Sequence, residues 1–140
     1  MAHLVLLGDS IFDNKAYVGE EPDVVSHLRQ VIAPDWEATL KAIDGSLIEN
    51  VRSQLLEIPQ TATHLFLSVG GNNAIMNADV LQMKAGSAAE VLDDLANRAE
   101  NFESQYRALL EKISSRQLPT AVCTIYYPNF PDPLIQRIAT

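Results

Sequence analysis

Hydrophobic and polar positions change period several times along this chain. His3 to Leu7 is a continuous apolar run that stops at Gly8-Asp9-Ser10, the pattern of a strand covered on both faces. Pro22 to Ala33 places Val24, Val25, Leu28, Val31 and Ile32 at helical spacing, with Pro22 suited to the first turn. Trp36 to Ile43 alternates instead, with Trp36, Ala38, Leu40 and Ala42 set against Glu37, Thr39 and Lys41. That period of two predicts a half-exposed strand at a sheet edge, guarded by Lys41. After Gly45, Ser46 and Glu49 read as a capping box. The helix it opens has Leu47, Ile48, Val51, Leu55 and Ile58 on one face and is ended by Pro59.

A second buried-type run, His64 to Val69, ends in Gly70-Gly71-Asn72-Asn73. A polar, Met-containing loop from Ala74 to Gly86 is expected next. A long helix from Ala88 to Ser115 follows, with Ser87 and Glu90 as its capping box. Ala121 to Tyr126 predicts a fourth strand, apolar and without a guarding charge. Pro128, Pro131 and Pro133 mark a loop, and Leu134 to Ala139 the first turns of another helix. Strands alternating with helices across short connections imply a parallel sheet with helices on both faces. Right-handed crossovers then bring every strand's C-terminal end to one edge, where ligands bind in open α/β sheets.

The chain has 140 residues, enough for one domain spanning 1–140, and no linker or repeat divides it. Ten Lys plus Arg against eighteen Asp plus Glu give a net charge of -8, which disfavours nucleic acid as a partner and leaves no polybasic patch for an anionic membrane. No apolar run approaches the roughly 18 residues of a membrane span. Residues 1–7 lack the cationic start of a signal peptide, so a cytoplasmic protein is expected. The single cysteine, Cys123, excludes an internal disulfide and reads as a core thiol.

Three punctuated turns fall at strand C-termini: Gly8-Asp9-Ser10, Asp44-Gly45-Ser46 and Gly70-Gly71-Asn72-Asn73. Ser10 follows a buried strand and a glycine, so its hydroxyl can project at the sheet edge. Gly45 precedes a helix start with free N–H groups, and Asn72 offers a side-chain amide. The N–H of Ser10, the N–H of Gly45 and the Asn72 amide would together make a three-donor oxyanion hole. Each residue also has a plainer reading: Ser10 as a turn or cap hydroxyl, Gly45 as a turn glycine, Asn72 as a loop tie. Asp9 reads as a brace for its loop, and Asp13 and Asn14 as pocket lining or caps for the next segment. His3 and His64 start strands and His27 borders a helix's apolar face. All three are more simply structural, and they are too dispersed for a metal site.

In order, spacing and frame the three turns resemble the first three blocks of the GDSL esterase/lipase family, the SGNH hydrolases. The resemblance implies a flavodoxin-like three-layer α/β/α fold that hydrolyses carboxylic esters without a cofactor. It assigns Ser10 as nucleophile, with Ser10, Gly45 and Asn72 as oxyanion donors and Asp9 and Asn73 in support. Two departures stand out. The third block ends in Asn73 where the family has aspartate, and the Asp-x-x-His block that supplies acid and base has no counterpart, since no histidine follows His64. On that basis the chain is expected to be truncated before a final strand and helix, to be inactive or weak, and to self-associate through an uncovered fourth strand. The alternative is a non-catalytic module binding a small ligand or a partner on the same fold. A nucleotide-binding reading is weaker, because Gly8-Asp9-Ser10 lacks the glycine and hydroxyl density of a phosphate cradle.

Overall fold

A computed structural model describes residues 1–139. Four strands, β1 (His3–Gly8), β2 (Glu37–Leu40), β3 (His64–Ser68) and β4 (Thr120–Val122), form one parallel sheet in the order β2-β1-β3-β4. The helices are α1 (Val24–Val31), α2 (Val51–Leu56), α3 (Gly71–Met76), α4 (Ala88–Ser114) and α5 (Pro133–Ala139). This is the α/β architecture expected from the strand-helix alternation.

Central strands need apolar side chains on both faces, and β1 and β3 supply them alternately. Val5, Leu7, Leu65 and Leu67 face α2 and α4 and pack with Val51, Leu55, Leu109 and Ile113. Leu6 points the other way, towards Val25 of α1 and Ala38 of β2. All six residues of β1 are buried. At the outer edge, Lys41 meets Glu57 at 3.2 Å.

The boundaries shift for identifiable reasons. Helix α1 starts later than expected because Asp23 is its cap, accepting the Ser26 N–H at 3.0 Å, so Pro22 lies before the cap and not in the first turn. Its last residue, Val31, is exposed rather than part of the buried stripe. The Ser46/Glu49 capping box does not form. Ser46 is buried, and Asn50 Oδ1 instead accepts the Leu47 N–H at 2.7 Å, opening a 3-10 turn, Ile48–Asn50, that runs into α2. Ser87 does cap α4, accepting the Glu90 N–H at 3.2 Å.

The segment expected as a loop after Asn73 is helical, as α3 and then a 3-10 stretch, Asn77–Gln82. Its paired glycines and asparagines are turn formers, but Gly70 at φ +117 turns the chain so that its carbonyl accepts the Ala74 N–H at 3.0 Å. Strand β4 is shorter than expected and exposed throughout. Cys123, just beyond it, is half-buried and not a core thiol, although its N–H still reaches the Leu67 carbonyl at 2.8 Å. An apolar groove of about 600 Å³ runs along α4, walled by Phe102, Tyr106 and Leu110.

Candidate active site

The first turn sits at the C-terminal end of β1, pressed against β3. Gly8 has φ +125, and a Cβ there would overlap the Ser68 carbonyl oxygen, so only glycine permits this approach. The next N–H, that of Asp9, donates to the same carbonyl at 3.0 Å. The chain then doubles back, with the Asp9 carbonyl accepting the N–H groups of Phe12 and Asp13 and Asp9 Oδ1 accepting that of Ile11 at 3.1 Å. Ser10 is left at the apex, half-buried. Among the described residues nothing engages its hydroxyl or its N–H.

Asp9 itself is buried. Desolvation pushes its carboxyl above the ordinary value; the Ile11 N–H pulls the other way, and the charge of Asp44 adds to the rise.

The second turn is tied to the first from both sides. On the buried side, Gln54 of α2 accepts the Gly8 N–H and donates to the Gly8 carbonyl, each at 2.8 Å, and its amide also reaches Ser46 Oγ at 3.3 Å. On the exposed side, Asp13 Oδ2 accepts the Asp44 N–H at 2.8 Å, and the Tyr17 hydroxyl meets both Asp44 carboxylate oxygens at 2.8 and 3.0 Å. Gly45 lies between these anchors at φ +81, with open space where a side chain would be. Glycine is demanded here by backbone conformation, not by crowding. Its N–H has no partner among the described residues.

The third turn is sewn to the second. Asn72 Nδ2 donates to the Ser46 carbonyl at 3.1 Å, and Asn73 Oδ1 accepts the Ile48 N–H at 3.0 Å. Asn77 ties the Asn73 carbonyl at 2.8 Å and in turn accepts from Arg98 of α4, which also pairs with Asp79 and Asp94 at 2.6 Å each. Ser10 and Gly45 therefore sit on two turns braced against each other and against the first turn of α3, which carries Asn72, at the C-terminal edge of the sheet. A polar cleft of about 350 Å³ flanks this edge, lined among others by Gly45, Ser46, Asn50 and Ser53; Ser10 does not line it.

The histidines lie elsewhere. His3 Nδ1 and Nε2 sit 2.8 Å from Thr61 Oγ1 and Thr39 Oγ1, and His64 Nδ1 is 2.9 Å from Thr63 Oγ1, all at strand beginnings. His27 is exposed on α1. Asn14 serves as a tie, its Oδ1 accepting the Val24 N–H at 2.9 Å. Gln54 and Tyr17 carry no motif and are missed by pattern. For Gln54 a signal existed: it is a polar residue on the face of α2 that carries Val51 and Leu55.

The α/β fold is similar to that of solved ester hydrolases. A lipase from Streptomyces rimosus superposes with a TM-score of 0.62 at 15% identity, covering 98% of this chain and 68% of that one. The esterase EstA from Pseudoalteromonas sp. gives 0.56 at 17% identity, with 100% and 68% covered. Axe2, an acetylxylan esterase from Geobacillus stearothermophilus, gives 0.58 at 19% identity, with 99% and 66% covered. The chain thus spans about two thirds of the length of these proteins, and 57% of a further acetyl xylan esterase. No protein-family model and no curated protein sequence matches it.

Proposed function

We propose that this chain is a serine ester hydrolase of the GDSL/SGNH type, with Ser10 as nucleophile. One observation carries the reading: the two turns and the start of α3 are locked together around Gly45 while the Gly45 N–H and the Ser10 hydroxyl stay uncommitted. Ser10 Oγ would attack the ester carbonyl. The tetrahedral oxygen would then accept from the N–H groups of Ser10 and Gly45 and from the second hydrogen of Asn72 Nδ2. Donors held in place before the reaction lower its barrier because none has to reorganise. The neighbours lend support at the level of chemistry: one Axe2 structure is described as a catalytic mutant in which a serine is replaced by alanine, and the EstA structure is described as inhibited by monoethylphosphonate.

Activation of Ser10 needs a base, and none of the three histidines lies at the strand C-termini. Without a base beside it Ser10 is a weak nucleophile, so this chain should turn over esters slowly. The misplaced histidines also favour a second reading, a module that binds an ester or similar small ligand without hydrolysing it. Hydrolysis of p-nitrophenyl acetate by the chain and by Ser10→Ala separates the two. A slow rate that falls with the substitution supports the hydrolase; rates identical in the two proteins support the binding module.

A further inference from the structure

We propose that Asp13 and Tyr17 are positioning residues: by gripping Asp44 from the nucleophile's own loop, they aim the Gly45 N–H at the oxygen that becomes negative when Ser10 attacks. The inference rests on the hydrolase reading above and extends it to two residues outside the three sequence blocks.

The peptide plane that carries the Gly45 N–H begins at the Asp44 carbonyl. Glycine is soft in both torsions, so that plane is fixed only if the residues on either side are fixed. On the far side Ser46 is held by Gln54 and Asn72. On the near side the structure uses Asp44 twice, its N–H on Asp13 Oδ2 and its carboxylate on the Tyr17 hydroxyl.

Both partners arrive from the Ser10 loop. Asp13 ends the turn closed on the Asp9 carbonyl, and Tyr17 ends the 3-10 turn Lys15–Tyr17 that follows. Nucleophile loop and donor turn are thereby joined without relying on the sheet. Asp13 and Asp44 would repel each other if left alone; the intervening N–H and phenol are what make the approach favourable. Lys15, the cation of the same loop, is spent on the carbonyls of Gly19 and Glu21 at 3.0 and 3.1 Å, and Lys41 pairs with Glu57 at 3.2 Å, leaving the phenol as the donor to Asp44. That hydrogen bond also holds the Tyr17 hydroxyl above its ordinary pKa, so it stays a donor further into the alkaline range.

The test is phenylboronic acid, which forms a tetrahedral adduct on a serine hydroxyl, titrated into nitrogen-15-labelled chain while the Gly45 and Asn72 amides are followed. Wild type should bind with a shift at both amides. Tyr17→Phe and Asp13→Ala should bind about five- to tenfold more weakly, the cost of one lost hydrogen bond of this kind. The boronate-induced shift at the Gly45 amide should shrink in both, and Tyr17→Phe should leave the melting temperature unchanged, since Tyr17 is 67% exposed. Asp13→Asn keeps an acceptor oxygen and should restore binding, which keeps the test valid if Tyr17→Phe folds poorly. Unchanged affinity and an unchanged boronate-induced shift at Gly45 in both variants would overturn the positioning role alone. A wild type whose Gly45 amide ignores the boronate would overturn the hydrolase reading, and the proposal with it.

Discussion

Gln54 treats Gly8 as a neighbouring strand would. Its Oε1 accepts the Gly8 N–H and its Nε2 donates to the Gly8 carbonyl, both at 2.8 Å and both buried. Past the end of β2 the Ile43 N–H still reaches the Gly8 carbonyl at 3.0 Å, but the Gly8 N–H takes its partner from a side chain of α2. The same amide touches Ser46, so the strand end, the helix and the Gly45 turn share one buried polar knot.

Removing that knot should be costly. Gln54→Leu strands the buried Gly8 N–H and should lower unfolding free energy by about 2 kcal/mol or more. Gln54→Glu keeps an acceptor but loses the donor and buries a charge, so it should be worse than the Leu variant at pH 7 and approach wild type in acid, where the neutral carboxyl again offers one donor and one acceptor. Urea denaturation at the two pH values measures both. A Gln54→Leu variant as stable as wild type would show that the knot does not support the turn.

Gly8→Ala combines a positive φ with a collision against the Ser68 carbonyl and should cost more than about 3 kcal/mol or prevent folding. Gly19 is the control, because it has φ +57 but nothing within 4 Å. Gly19→Ala should cost only about 1 kcal/mol. Equal melting temperatures for the two variants would contradict the packing described at the end of β1.

The buried Asp9 gives a signed pH effect. Its folded-state pKa lies above the ordinary 3.8, chiefly through desolvation. The neutral carboxyl is therefore the form the fold prefers. The stability it contributes is fully present below the ordinary value and is lost as pH rises through the raised one. Asp9→Asn can still accept the Ile11 N–H and removes the charge. It should be more stable than wild type at pH 7, with the difference shrinking as pH falls towards 3.8 and below. Thermal melts across that range check it, and a variant less stable than wild type at pH 7 would mean that the carboxylate is stabilising where it sits.

The fold was legible because β1 and β3 are continuous apolar runs and α4 holds one helical stripe with a true Ser87 cap. Those signals are local, and tertiary context did not override them. Ser10 and Gly45 were legible as turns because each follows a strand, and Asn72 was legible as a strand-end residue though not as part of a helix. What joins the turns was not. Gln54 acts across 46 residues on Gly8, and Tyr17 across 27 on Asp44, and no periodicity encodes such pairings. Ser46 misled for a related reason: a hydroxyl that fits a capping box was drawn into the buried Gln54 contact, and Asn50 took over the helix start. Helix α3 was hidden by residues that favour turns wherever a left-handed glycine does not redirect them.

The central claim is that Ser10 is the nucleophile of an oxyanion-stabilising site. It is tested most directly by incubating the chain with an activated alkyl phosphonate ester and mapping the adduct by mass spectrometry. Ser10 Oγ displaces the activated alcohol and keeps the phosphoryl group, and no turnover is needed for detection. The account predicts one slow adduct on Ser10, ahead of every other serine in the chain, and none in Ser10→Ala. A chain that stays unlabelled, or labels elsewhere at the same rate in Ser10→Ala, would contradict it.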